Sequence, residues 1–205
     1  MTSMYIFQFL YVSLSGALLH FLYDMSNHLF IFSIIGAVNE SVGEHLKLGI
    51  FPWFSWFFIR WYFFSYVNSY FANLVGVLSY MFMILFIFYG SICLFKRHFL
   101  PLSISSFFIG VIFGSAMEYL TKSFIFDKTI EIIGFIGCII IFGYGMISSY
   151  YPIKCFLWLD TKYQMYGFEA HAKRCHITKR KKHIVFIFNL LGIDFPKDEE
   201  KSKLN

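Results

Sequence analysis

Charged residues are scarce in this chain. They make up 14% of its 205 residues, whereas hydrophobic residues make up 58%. Soluble domains carry roughly 25% charged residues, so a compact form of this chain would have too little polar surface to stay in water. The deficit excludes an ordinary soluble domain and predicts an integral membrane protein. The 29 Phe and 14 Tyr add apolar surface that a bilayer would cover.

Paired cysteines are missing too, and the start of the chain does not have the pattern of a cleavable leader. Cys93, Cys138, Cys155 and Cys175 stand apart with no CxxC pair, so neither a disulfide framework nor a zinc knuckle is indicated. The first apolar run starts at Tyr5 without a basic segment before it, and it is too long for the apolar core of a signal peptide. We therefore expect no cleavable signal peptide.

The excess of positive charge is confined to the end of the chain. From Pro152 onward there are 11 Lys and Arg against 6 Asp and Glu, and the residues before it have 6 of each. A basic segment beside an apolar body fits a tail that meets anionic lipid headgroups. A nucleic-acid partner is not expected, because it would leave the apolar body unexplained. We therefore divide the chain into a transmembrane helical bundle, 1–151, and a cytoplasmic basic tail, 152–205, with an interfacial helix expected at 183–195.

Apolar runs that match the thickness of a bilayer recur along the body. A transmembrane helix needs about 20 apolar residues, so the fold class is an all-α membrane bundle of about five such helices. The predicted spans cover 5–23, 71–95, 102–120 and 130–148, with one more helix that is capped by Asn39 or Ser41 and ends at Phe64. The apolar stretch 29–38 is too short to span and is predicted to be re-entrant or interfacial.

Lys and Arg in short loops indicate the orientation, because such loops stay in the cytoplasm. The basic tail and the loop with Lys96 and Arg97 are the most basic connections. We therefore predict that the N-terminus lies outside and the C-terminus in the cytoplasm. The organelle, and self-association into a homo-oligomer, are left open.

Ionisable residues gather at the predicted cytoplasmic boundary. His20 and Asp24 are four residues apart, as are Glu40 and Glu44, so each pair is expected to share a helix face, with Glu40 and Glu44 as the inward pair. Ionisable groups at this depth are costly and are by default a functional hypothesis. The candidate cluster comprises His20, Asp24, Asn39, Glu40, Glu44 and His45.

Two chemistries fit such a cluster. His20, Asp24, Glu40 and Glu44 are candidate ligands for a divalent cation such as zinc or manganese, and the same groups suit general acid–base catalysis. The structural alternative is that Asp24 and Asn39 cap helix ends while the glutamates interact with the helix dipole. Which chemistry applies, and whether the protein is an enzyme, stays open at this point.

Two secondary candidates lie elsewhere. Glu118 continues a stripe of small residues, Ser106, Gly110 and Gly114, with the four-residue spacing that lets another helix approach closely, so Glu118 is predicted to face the bundle. Asp160 and Tyr166 follow the last span, and we predict that the tail docks back under the bundle through them.

Three stretches together resemble an uncharacterised family of small, mainly bacterial, polytopic membrane proteins known only as a domain of unknown function. They are His20-Phe21-Leu22-Tyr23-Asp24, the stretch 39–48 with the following Phe51-Pro52, and 160–167. Gly43 stands where that family tends to have a large aromatic residue, and the prolines expected before the acidic Asp160 are missing. The resemblance implies a membrane fold and important positions, but no known reaction.

Three functions therefore compete. The preferred one is a membrane protein whose polar cluster binds a small polar ligand, an ion or a lipid headgroup. The first alternative is a membrane-embedded, metal-dependent hydrolase that acts on lipid. His20 and Asp24 are faintly similar to residues of the superfamily that includes alkaline ceramidases, but the HxxxH pair of that superfamily is absent. The second alternative is a non-catalytic packing or assembly protein.

Overall fold

The structure is a computed structural model that describes residues 2–64, 69–95, 100–160 and 163–170. Within these ranges the chain is helical, as predicted, and an isolated β-bridge joins Leu159 to Tyr166. The helices are α1 (Thr2–Met25), α2 (Phe30–Ile35), α3 (Val42–Phe64), α4 (Tyr70–Phe95), α5 (Leu100–Lys122) and α6 (Lys128–Ile147). The interfacial helix expected at 183–195 and the loop with Lys96 and Arg97 lie outside the described residues.

Four of these helices are long and apolar enough to cross a membrane, which suggests a multi-pass membrane protein. They are α1 over Ser3–Met25, α4, α5 over Pro101–Lys122, and α6. Helix α3 has 23 residues, but Glu44, Lys47 and Arg60 make it less apolar than the others. The predicted count of about five spans therefore stays a prediction.

Helix α3 lies inside the bundle, against α1, α4 and α6. It runs antiparallel to α1: Gly16 lies against the Leu48 carbonyl, where a Cβ would come within 2.6 Å of the oxygen, and the Tyr11 hydroxyl lies 3.0 Å from Ser55 Oγ. Trp53, at the middle of α3, is fully buried. The least apolar long helix is therefore the one that its neighbours cover.

Small residues bring α4 and α5 together. A Cβ on Gly114 would lie 2.6 Å from the Gly76 carbonyl oxygen, and one on Gly110 would lie 2.9 Å from the Ile84 side chain. The predicted small-residue stripe of α5 therefore faces α4. Glu118, at the end of the stripe, is buried, which confirms that it faces the bundle.

Helix α2 falls within the short apolar stretch predicted at 29–38. Its six residues lie against the end of α6, where the Tyr150 hydroxyl donates to the Phe30 carbonyl and also hydrogen-bonds with the Ser33 hydroxyl. Burial raises the pKa of the Tyr150 phenol, so this hydroxyl keeps its proton. Whether α2 is re-entrant or interfacial stays a prediction.

Candidate functional site

Three of the six predicted cluster residues come together at the end of the bundle where α1 ends and α3 begins. His20 lies near the end of α1, Glu40 in the loop before α3, and His45 in the first turn of α3. One ligand atom from each of them lies within 4.8 Å of the others. The imidazole rings are 5.1 Å apart between centroids, and His45 Nε2 is 3.7 Å from Glu40 Oε2. We call these three residues the His–Glu–His group.

The backbone fixes which nitrogen of His45 is available. His45 Nδ1 lies 2.8 Å from the Ser41 carbonyl oxygen, which can only accept a hydrogen bond, so Nδ1 is the nitrogen that donates. The lone pair of the neutral ring is then on Nε2, which faces Glu40. A histidine that donates one nitrogen to a backbone carbonyl is oriented to bind a metal through the other.

The loop that carries Glu40 is held by the start of the tail. The Glu40 backbone N–H donates to Asp160 Oδ2 at 2.9 Å, and the other carboxylate oxygen accepts from the Tyr163 N–H at 2.8 Å. Asp160 is buried, and Tyr163 lines the pocket described below. Asp160 therefore positions the backbone of Glu40 and of Tyr163, although it is not itself a member of the His–Glu–His group.

The side chain of Asn39 also holds this loop in place, through two hydrogen bonds. Its side-chain nitrogen donates to the Gly167 carbonyl at 3.0 Å, while its side-chain oxygen accepts from the Ser41 N–H at 2.9 Å. The hydrogen bonds at Asp160 and Gly167 confirm that the start of the tail docks back on the bundle, as predicted for Asp160. Tyr166 pairs with Leu159, so it closes the turn of the docked segment.

Glu44 does not join the group, which corrects the expectation that Glu40 and Glu44 form an inward pair. Helix α3 begins at Val42, so Glu40 precedes the helix and the four-residue periodicity does not apply to it. Glu44 is buried and accepts from the Val38 N–H at 2.9 Å and from Ser149 Oγ at 2.8 Å.

Lys47 completes the network around Glu44. Its ammonium lies 2.8 Å from Glu44 Oε2 and donates to the Ser33 carbonyl at 3.1 Å and to Ser149 Oγ at 2.5 Å. All three ammonium protons thus have acceptors. This fully buried network ties α3 to α2 and to the end of α6, and it has the properties of a structural element.

Asp24 also lies outside the His–Glu–His group. Its carboxylate pairs with His28 Nε2 at 3.2 Å, and its side chain is 40% exposed. Although Asp24 shares a helix face with His20, it is one turn closer to the end of α1, where it reaches the chain beyond the helix. Its partner His28 was not among the predicted residues.

A cavity of about 630 Å³ opens beside the His–Glu–His group. Its polar lining includes the three group residues and Tyr163, and the remaining wall is mostly aliphatic and aromatic. The apolar lining residues are Gly16, Ala17, Phe21, Val42, Leu48, Ile84, Phe88, Ile104, Phe107 and Phe108, and two serines, Ser103 and Ser106, complete the lining. The volume falls within the range of about 300–1,000 Å³ found for small-molecule sites.

A second buried charge pair lies towards the opposite end of the bundle. Arg60 donates to Glu118 Oε1 at 2.6 Å, Gln8 donates to Glu118 Oε2 at 2.8 Å, and the Arg60 guanidinium lies 5.8 Å from the centroid of the Tyr5 ring. Sequence analysis identified Glu118 but missed Arg60 and Gln8. The residues before Pro152 include as many acidic as basic side chains. This balance was the feature of the sequence that indicated buried ion pairs.

The described residues form a helical bundle with four helices long and apolar enough to cross a membrane, and the partly buried His–Glu–His group lies at one end of it. The chain belongs to a family of unknown function (DUF6512), whose match covers residues 3–168. The resemblance to an uncharacterised family is thereby confirmed, and the matched region contains all three stretches on which it was based. No curated protein matches the chain, and no solved structure does.

Proposed function

We propose that this protein is a multi-pass membrane protein that binds a divalent transition metal ion through His20, Glu40 and His45. The observation that carries the proposal is the approach of three ligand atoms to within 4.8 Å of one another, next to a cavity. Two imidazoles and a carboxylate are a ligand set that suits zinc and several other divalent metals.

The spacing of the group fits a metal after a small adjustment. Zinc binds nitrogen and oxygen ligands at about 2.0–2.2 Å, so two ligands of one ion lie at most about 4 Å apart. Side chains that already lie within 4.8 Å reach this geometry by small rotations. The hydrogen bond from His45 to the Ser41 carbonyl favours the ring orientation that binding requires.

Three protein ligands leave one coordination position open, as in catalytic zinc sites. The open position would face the cavity, where a small polar ligand or a lipid headgroup can bind. A membrane-embedded, metal-dependent hydrolase acting on lipid is the second candidate, because two histidines and one glutamate with an open position also support activation of a water molecule. Such an enzyme would add water across an ester or amide bond, placing hydroxyl on the acyl carbon and hydrogen on the leaving group.

The proposed orientation puts the metal group at the cytoplasmic boundary. Five helices would cross the membrane, with the N-terminus outside and the basic tail, 152–205, on anionic lipid headgroups. This proposal rests on the distribution of Lys and Arg. The alternative of a non-catalytic packing protein predicts no metal and no ligand in the cavity.

Elemental analysis of protein purified in mild detergent tests the proposal. Wild-type protein should carry close to one equivalent of metal, and Glu40→Gln and His45→Ala should each lower the metal content at least about tenfold, since even residues that only support metal ligands affect affinity by this much. Asp24→Asn and His28→Ala are matched controls, because they remove an acid–histidine pair of the same chemistry outside the group. Equal metal loss in the controls, or a metal-free wild type after reloading with zinc or manganese, would overturn the proposal.

A further inference from the structure

The exposed part of the cavity wall is apolar. Phe21, Ile104 and Phe108 are 58%, 53% and 38% exposed, and each of them lines the cavity. They belong to α1 and α5, two helices that qualify as membrane spans. The cavity therefore has an apolar edge between two helices whose outer surfaces would contact hydrocarbon.

The back of the cavity is closed, whereas Ala17 is exposed and the polar end at Glu40 and His45 is half-buried. Leu48 of α3 and both Ile84 and Phe88 of α4 are buried, and they form the back of the cavity. Deeper in the bundle α1 and α5 touch: a Cβ on Gly16 would lie 2.5 Å from the Phe107 ring. The gap between α1 and α5 thus lies between this contact and the His–Glu–His group.

The polarity of the cavity changes along its length. His20, Glu40 and His45 lie at its polar end, and the rest of it is bounded mainly by aliphatic and aromatic side chains, with Ser103 and Ser106 among them. His20 is five residues before the end of α1, which is about 7.5 Å along a helix. A ligand that fills this space has a polar head close to the membrane boundary and an apolar portion between the helices.

We infer that the ligand is a membrane lipid with a phosphate or carboxylate headgroup, which enters laterally between α1 and α5 and places that headgroup on the metal held by His20, Glu40 and His45. The inference rests on the proposed function and names its ligand class. A metal with one negatively charged ligand, Glu40, keeps a net positive charge that attracts an anionic oxygen. A water-soluble ligand would not account for the apolar lateral edge of the cavity, whereas a lipid reaches this edge directly from the bilayer.

A photoreactive phosphatidic acid in phosphatidylcholine vesicles tests the route. Reconstituted wild-type protein should be labelled on α1 or α5 at cavity-lining residues, and unlabelled phosphatidic acid should compete, whereas inorganic phosphate should not. Ile104→Trp should lower labelling about tenfold, because a bulky ring would overfill the gap. Ile112→Trp is the matched control, since Ile112 lies on the same helix, is 54% exposed and does not line the cavity.

Metal content, measured on the same samples, separates the two proposals. Ile104→Trp should keep its metal while it loses the label, and Glu40→Gln should lose both. A wild type that holds metal but is labelled no more than Ile104→Trp would overturn the lipid inference alone, as would competition by inorganic phosphate. Specific labelling of a protein that holds no metal would overturn the proposed function and the headgroup contact with it.

Discussion

Lys47 and Glu44 lie within one turn of α3 and form a fully buried ion pair whose hydrogen-bonding groups are satisfied by α2 and by Ser149. Two residues on the same stretch, Glu40 and His45, instead face the cavity. One short stretch of sequence therefore holds both a structural network and a candidate binding group. This division separates variants that should unfold the protein from variants that should only remove a ligand.

Replacement of Lys47 by Met should destabilise the protein strongly. It leaves the Glu44 carboxylate buried without a cation, which costs about 3–5 kcal/mol. The double variant Glu44→Gln/Lys47→Met should recover part of this loss, because neither charge then remains. Thermal unfolding in detergent measures both effects, and a single variant as stable as wild type would contradict the structural role.

Gly43 lies where the docked segment covers the start of α3. A Cβ at this position would lie 2.4 Å from the Trp158 ring, and the Gly43 N–H donates to the Leu157 carbonyl. In this chain the aromatic ring that covers the start of α3 therefore comes from the docked segment. A large aromatic residue at position 43 would need the space that Trp158 fills.

The variant Gly43→Ala should accordingly lower stability by about 1–3 kcal/mol, the usual range for overpacking. Gly143→Ala is the matched control, since nothing lies within 4 Å of its added Cβ and alanine favours a helix interior. The denaturation midpoints of the two variants, compared with that of the wild type, measure these changes in stability. Equal midpoints would mean that Trp158 moves aside without cost.

At the scale of elements, the start of α3 and the segment 157–167 depend on each other. Asp160→Ala removes the acceptors of the Glu40 and Tyr163 N–H groups, so we expect faster proteolysis of the segment. Metal content should fall too, because Glu40 loses its position. Lys154→Ala, an exposed change in the same connection, serves as control. Unchanged proteolysis and metal content in Asp160→Ala would refute the positioning role.

The long helices were largely predictable, because each is a mainly apolar run of about the length a bilayer requires, although charged residues interrupt α3 and α5. The site was predictable only in part. Helical spacing included His20 and Glu40 among the candidate ligands but wrongly chose Glu44 over His45 as the inward residue of α3. Glu40 precedes the helix, and its backbone N–H is held by the Asp160 carboxylate. That carboxylate is 120 residues away in the chain. Contacts of this kind carry no periodic signal in a single sequence.

For the whole molecule, the predicted topology gives opposite locations to the two termini. Single cysteines placed at residue 2 and at the C-terminus of a cysteine-free variant should react with membrane-impermeant reagents from opposite sides, the N-terminal one from outside. A third cysteine beyond Phe64 should react from the same side as the N-terminus if α3 crosses the membrane. Labelling of both termini from one side would contradict the five-span arrangement.

The burial of Arg60 against Glu118 has a consequence for biosynthesis. The two residues are 58 positions apart, so α3 leaves the ribosome well before the carboxylate that neutralises its arginine. Arg60, together with Glu44 and Lys47, lowers the hydrophobicity of α3 and so opposes translocon insertion of this helix on its own. Helix α3 alone should therefore be a poor insertion substrate, and its integration should be completed only when α5 has been synthesised. The order of translation, and not hydrophobicity alone, would then decide when the bundle forms.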